Sequence, residues 1–368
     1  MDKGGMFLRR QLAAVGILAW FIFMMGAGCA DRSTQPQEYI REDFVMNTLI
    51  QVRVFAAEAE SGQKAGQEVL DEFTRIDHLT DRFAEKNLSD PEISDVYRIN
   101  QNAGIRPVPV SKDTLTMLER GSYFSTMCSG AFDVTVGPLM NLWGFGQAQY
   151  HVPSTEELKS GLELVGYQQV VVDKTRKTVF LPEKGMEIDL GGIAKGYATD
   201  KAVQKLRQMG IESALINAGG SVYALGSKPD GEPWLVGIQD PRDEKNLVAC
   251  LRIKDTAVVT SGDYERYFTR DGVCYHHILD PATGQPARSI MSSTIVAPSA
   301  ADADVLSTAL FVLGSGPGME LVNKISATDA VLVDDLGNIT FSEGLSNQIK
   351  FTGGGGYTLQ NGEVGGDS

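Results

Sequence analysis

Glu187-Ile-Asp-Leu-Gly-Gly-Ile-Ala-Lys-Gly-Tyr197 reads as a strand, a glycine turn and the start of a helix that runs from Ala194 to Met209 and stops at Gly210. Without side chains at Gly191 and Gly192 the backbone can approach a ligand closely. The helix N-terminus that follows offers unpaired N–H groups to an anion, and Lys195 adds a positive charge. The same turn also serves purely structural ends, and on these residues alone both readings stand.

Upstream, Ile50, Val52 and Val54 alternate with Gln51 and Arg53 as in a half-buried strand. Ala65, Val69, Phe73, Ile76, Leu79 and Phe83 then recur at helical steps. A polar loop from Lys86 to Asp95 precedes a second helix around Leu115 to Met127. Gln169–Asp173 and Lys177–Leu181 form a hairpin pattern. Downstream, strands are expected at Ala214–Asn217, Trp234–Gln239, Val248–Ile253, Ala257–Thr260 and Ser293–Ala297. Asp271-Gly272 marks a tight turn, and Ala301–Leu313 a helix closed by Gly314. Helices at both ends of a strand-rich middle predict an α+β or mixed α/β fold. No linker separates Phe44 from Phe351, so one catalytic domain is expected over residues 42–351, with a glycine-rich tail at 352–368.

The N-terminus has the layout of a secretory signal over residues 1–28. Lys3, Arg9 and Arg10 precede an apolar run, which ends in Gly26-Ala-Gly-Cys29. Small residues before Cys29 resemble a bacterial lipobox, in which the cysteine is lipidated. A plain cleaved signal or a retained anchor are the alternatives. Residues 29–41 then read as a tether, and the expected location is outside the cytoplasm, on a membrane. None of the four cysteines forms a Cys-x-x-Cys pair, which argues against a thiolate zinc site. A net charge of −14 with no basic stripe argues against a nucleic-acid binder.

Walker A, Gly-x-Gly-x-x-Gly, His-Glu-x-x-His and Gly-x-Ser-x-Gly patterns are all absent. Less generic groupings remain. Asp304 and Thr308 stand four apart, so a helix stacks a carboxylate and a hydroxyl on one face, which suits a hard cation such as Mg²⁺. Aspartates at 302 and 304 also simply favour a helix N-terminus, with Asp302 the better cap. His277 lies near Asp280, as a general base or as part of a turn, and His276 and His277 point to opposite faces of a strand. Small residues beside Phe132 could wall a flat aromatic ligand or merely pack.

In order, Gly130-Ala-Phe-Asp-Val-Thr135, Asp189-Leu-Gly-Gly-Ile-Ala-Lys-Gly-Tyr197, Asn217-Ala-Gly-Gly220, Thr260-Ser-Gly-Asp263, His277-Ile-Leu-Asp-Pro281 and Ala303-Asp-Val-Leu-Ser-Thr308 closely resemble the ApbE family of FAD:protein FMN transferases. The resemblance covers about residues 42–350 and implies a single T-fold-related domain. It implies that Asp304, Thr308 and the carbonyl of Gly192 ligate Mg²⁺. Met46, Phe83, Ala131, Phe132, Asp133, Asp189 and Lys195 would line the FAD site, with His277 and Lys195 as catalytic groups. Asn47 stands where the family usually has glycine, Phe83 where many members have tyrosine, and Ser221 where an aspartate is common.

The implied reaction joins FMN from FAD to a Thr or Ser hydroxyl of a target protein and releases AMP. Exported flavoprotein subunits of Na⁺-pumping NADH:quinone oxidoreductase or Rnf-type complexes are the implied acceptors. A Mg²⁺-dependent FAD pyrophosphatase and a non-catalytic flavin-binding lipoprotein are the competing readings.

Overall fold

The computed structural model describes residues 35–83, 93–147, 149–353 and 356–360; the signal segment, Cys29 and most of the expected loop at 86–95 lie outside them. The described residues from Pro36 onward belong to one compact unit. Strands β1 (Gln37–Val45) and β2 (Thr48–Ala56) form an antiparallel hairpin. The alternation in β2 is as expected: Ile50, Val52 and Val54 are fully buried and Arg53 is exposed. Each such side chain contributes about 1.5–3 kcal/mol by leaving water.

Three helices cover that buried face: α1 (Ala59–Thr80), with α2 (Asp95–Gln101), α3 (Lys112–Met127), α4 (Gly137–Trp143) and α5 (Thr155–Leu162) between it and α6 (Ala194–Gln208), and then α7 (Ala300–Leu313), which is followed by α8 (Ser315–Val322). The remaining strands are β3 (Val108–Pro109), β4 (Val171–Asp173), β5 (Thr178–Phe180), β6 (Ser213–Ala218), β7 (Ser221–Leu225), β8 (Trp234–Asp240), β9 (Asp243–Ile253), β10 (Thr256–Gly262), β11 (Tyr267–Arg270), β12 (Val273–His276), β13 (Ile290–Ala297), β14 (Asp329–Asp334), β15 (Asn338–Phe341), β16 (Ile349–Phe351) and β17 (Thr358–Leu359).

Among the described residues nine strands form the main sheet, in the order β1-β2-β6-β7-β10-β13-β14-β15-β17, antiparallel except for the β15–β17 pair. One face packs on α1, α6 and α7; the other is covered by the β16-β9-β8 sheet through Trp234, Val236, Ile238 and Leu251. Sandwiched between these layers, every residue of β13 is buried. The pairing of β2 with β6 sets Ile50 opposite Ala218, and with it the Met46-Asn47 turn beside the Gly219-Gly220 turn.

Some expectations change. Glu187–Leu190 is no strand: it makes one parallel bridge, Val136 to Glu187, and Asp189 N–H donates to the Val134 carbonyl at 2.8 Å, because its neighbour is an irregular segment. β1 begins at Gln37, inside the expected tether, because its backbone finds β2 as a partner. Thr358–Leu359, inside the expected tail, pairs with β15 for the same reason. At Asp271-Gly272 both residues have positive φ, 52° and 76°, as the hairpin between β11 and β12 requires. Cys128, Cys250 and Cys274 are free.

Candidate active site

The C-terminal half of β10, the body of α7 and the start of α6 meet at one end of the sheet. Helix α7 is capped by Ser299, not by Asp302: Ser299 Oγ accepts from Asp302 N–H, and Asp200 accepts the N–H groups of Ala300 and Ala301 at 2.7 and 3.1 Å. Asp302 turns outward to Arg120, 2.6 Å away. Asp304 is left facing inward, 4% exposed.

The Asp304 carboxylate accepts one hydrogen bond, from the N–H of Gly196 at 3.0 Å, and Lys195 Nζ stands 3.7 Å from its other oxygen. Thr308 lies one turn on, and the Gly192 turn closes the third side: a Cβ on Gly192 would lie 3.7 Å from Thr308 Oγ1 and 2.7 Å from the Phe132 ring. The helices approach closely because residue 196 is glycine; a Cβ there would come within 2.2 Å of the Ala300 carbonyl oxygen. Among the described residues no three His, Cys, Asp or Glu side chains cluster for a metal. The donor set is therefore one carboxylate with spare lone pairs, one hydroxyl and a glycine-turn backbone. Such hard, sparse oxygen donors fit Mg²⁺, which keeps positions open for water and phosphate.

The residues expected to line a FAD site divide. Phe83 is 43% exposed, with the Arg82 guanidinium 4.7 Å from its ring centroid and Gly146 close to its ring edge, where a Cβ would come within 2.8 Å. Met46 and Asn47 sit at the hairpin tip with φ of 54° and 58°. Asparagine tolerates this left-handed region better than most residues. Met46 itself is buried, its N–H donating to Asp77 at 3.3 Å.

Ala131 and Phe132 are also buried, and the Phe132 ring backs the Gly192 turn. Asp133 is committed inward: Thr135 N–H and O–H each donate to Oδ1 at 2.7 Å, and Tyr167 N–H donates to Oδ2 at 2.9 Å. Burial pushes its carboxyl above the usual range despite these bonds. Asp189 accepts from Gly191 N–H at 2.8 Å and from Arg82 at 2.7 Å. Arg82 was not singled out in the sequence. Its guanidinium also donates to the Gly137 carbonyl and to Asn141, tying the segment after α1 to α4 and to the Asp189 turn.

The adjacent histidines part, but not as two residues of one strand: β12 ends at His276, and His277 is the bend just beyond it. His276 is buried with both nitrogens satisfied, Nε2 against the Ala287 carbonyl at 2.8 Å and Nδ1 accepting from Ile278 N–H at 3.3 Å. His277 packs edge-on to Phe145, 6.3 Å between centroids. Its Nδ1 faces the Arg266 carbonyl at 3.3 Å. A carbonyl can only accept, so Nδ1 carries the proton and Nε2 presents a lone pair. Loss of solvation, with Arg266, His276 and Lys195 nearby, pushes its pKa down to about 3, so the ring is neutral at pH 7. Asp280 is no partner for it; its carboxylate holds the turn to Gly284 through Ala282 N–H and Thr283 O–H, at 2.9 and 3.0 Å.

Fold and site together define a mixed α/β enzyme domain with a candidate hard-cation centre, a lysine and a neutral histidine at one sheet end. The ApbE family model matches residues 46–332, and the chain belongs to the ApbE family. A FAD:protein FMN transferase of Treponema pallidum (strain Nichols) is 34% identical over 351 residues, 91% of this chain and 95% of that protein. One from Klebsiella pneumoniae (strain 342) is 37% identical over 262 residues, 71% of this chain and 81% of that one. Among solved structures, the ApbE protein of Thermotoga maritima superposes with a TM-score of 0.76 at 37% identity, covering 84% of this chain and 98% of that one. The flavin transferase ApbE of Vibrio cholerae gives 0.74 at 27% identity, covering 85% and 99%.

Proposed function

We propose that this FAD:protein FMN transferase holds Mg²⁺ on Asp304, Thr308 and the Gly192 carbonyl, and moves FMN from FAD to a Thr or Ser hydroxyl of a target flavoprotein. The observation that carries this reading is the convergence of Asp304, Thr308 and the Gly192 turn beside Lys195. When bound, the cation neutralises charge on the phosphate oxygens. Lys195 shares that load from the first turn of α6. Nε2 of His277 accepts the proton of the target hydroxyl, whose oxygen bonds to the FMN phosphorus as the pyrophosphate linkage breaks and AMP departs. Phe83 stacks on the flavin, and Arg82 fixes the segment that carries it.

Exported flavoprotein subunits of Na⁺-pumping NADH:quinone oxidoreductase or Rnf-type complexes are the proposed acceptors. A signal over residues 1–28 and lipidation of Cys29 would hold the enzyme on a membrane outside the cytoplasm, a reading supported by Lys3, Arg9, Arg10 and the small residues before Cys29.

The test is the intact mass of an acceptor bearing a Ser-Gly-Ala-Thr segment after incubation with the enzyme, FAD and Mg²⁺. A gain of one FMN less water, lost with EDTA, is expected. Release of FMN and AMP without a modified acceptor would make the enzyme a pyrophosphatase, and FAD bound intact would make it a binding protein.

A further inference from the structure

The stretch Thr260-Ser-Gly-Asp263 has no role in the reaction as drawn above, yet its serine lies against the proposed metal ligand. Ser261 Oγ is 2.8 Å from Ser307 Oγ and 3.4 Å from Thr308 Oγ1. The direction of each hydrogen bond follows from counting lone pairs. Ser307 donates its proton to the Asp304 carbonyl at 2.8 Å. That carbonyl also accepts the helical N–H four residues on, so both its lone pairs are taken. Thr308 Oγ1 also reaches the same carbonyl, but only at 3.5 Å, the outer limit of a hydrogen bond, and on an oxygen that already takes two shorter donors.

With its proton on Asp304, Ser307 Oγ acts as acceptor towards Ser261, and the Ser261 proton goes to it. Towards Thr308, Ser261 then has only lone pairs to offer. Thr308 must be the donor in that contact, which turns its own lone pairs away from β10. Ser293, across the strand pair from Ser261, is fully buried with an unpartnered hydroxyl, so it does not enter the relay.

We infer that Ser261 is a positioning residue that, through the relay Thr308 to Ser261 to Ser307 to the Asp304 carbonyl, orients the Thr308 lone pairs for a divalent cation. The inference rests on the metal reading above and adds a residue that touches neither cation nor substrate. Without Ser261, the Thr308 proton keeps only the long contact to the already occupied Asp304 carbonyl, and the hydroxyl is free to rotate away from its ligating orientation. Partners of this kind affect metal affinity by about 10–100-fold when removed.

The experiment is Mn²⁺ binding followed by EPR, with no FAD present, in the wild-type enzyme, Ser261→Ala, Ser261→Thr, Ser307→Ala and the Ser261→Ala/Ser307→Ala double variant. Thermal unfolding in EDTA serves as the control for folding. Wild type is expected to bind one Mn²⁺ displaceable by Mg²⁺. Ser261→Ala is expected to bind roughly tenfold more weakly with unchanged unfolding in EDTA, and Ser261→Thr to bind as wild type. Ser307→Ala alone should also weaken binding, because the Ser261 proton then swings to Thr308. The double variant should be no worse than Ser261→Ala. Wild-type affinity in Ser261→Ala, or losses that simply add in the double variant, would overturn the relay while leaving the metal site intact. Absence of Mn²⁺ binding in wild type would instead overturn the metal reading, and the relay with it.

Discussion

Arg82 Nη1 lies 2.7 Å from Asp189 Oδ2, although 107 residues separate them in the chain. The Arg82 side chain is 7% exposed and Glu187 is a second carboxylate neighbour at 3.7 Å. This one side chain links the exposed Phe83 ring to the glycine turn that packs against Thr308.

Replacing Arg82 with methionine keeps the length but leaves Asp189 and Glu187 without their cation. Breaking a pair this enclosed should cost about 3 kcal/mol of stability, read from urea denaturation. FAD affinity, followed by the flavin absorbance change on binding, should fall as well, since Phe83 loses its anchor. Arg82→Lys, which keeps charge but not the fork that also reaches Asn141 and Gly137, should recover only part of both. Unchanged FAD binding in Arg82→Met would remove Arg82 from the site.

Through His277 the proposed reaction is tied to pH. Its folded pKa of about 3 lies below the ordinary value of 6.5. As pH falls below about 6.5 the unfolded chain takes up a proton that the folded ring refuses until about pH 3, so stability is lost on acidification through that window. The urea midpoint should drop less between pH 7 and pH 5 in His277→Asn than in wild type. At pH 7 the same variant should lose kcat towards the lower end of about 10²–10⁴-fold if the ring takes the acceptor's proton, because a base held this far below pH 7 is a weak one. Parallel midpoint curves for the two proteins would contradict the depressed pKa.

Much of this was legible from spacing. Asp304 and Thr308 share a helix face by arithmetic, and alternation places β2, whereas His277 was read as a strand residue and lies just past the end of β12. Long-range pairing was not legible. Arg82 follows a helix in a polar stretch that resembles any solvated end, and only the meeting of residues 82, 141 and 189 reveals its role. Glu187–Leu190 has the residue types of a strand, but the neighbour that would pair with it is irregular. Nor does the stretch around Ser261 announce a role, because its partners come from a helix that begins at Ala300.

The Met46-Asn47 tip offers a test of backbone rather than chemistry. With φ of 58°, Asn47→Ala should cost about 1–2 kcal/mol, because a Cβ without asparagine's local hydrogen bonding is strained there. Asn47→Gly should be neutral or slightly stabilising. Chemical denaturation of both variants checks the pair, and equal stability of the two would mean that the tip does not hold this conformation.

Gly196 probes the geometry on which the proposed cation centre depends. Its N–H holds Asp304 at 3.0 Å, and the space where a Cβ would go is filled by the Ala300 carbonyl oxygen 2.2 Å away. Gly196→Ala must push α6 from α7, at a cost of about 1–3 kcal/mol from overpacking. The separation would draw the Gly196 N–H and Lys195 away from Asp304 together, so Mn²⁺ affinity should fall even where the variant remains folded. Gly210→Ala is the control for glycine replacement as such, because no atom lies within 4 Å of its would-be Cβ. Gly210 has a φ of 76°, so its variant should lose stability through backbone strain alone and keep its Mn²⁺ affinity. Weakened Mn²⁺ binding at 196 but not at 210, measured on folded protein, would establish that the approach of the two helices sets the site.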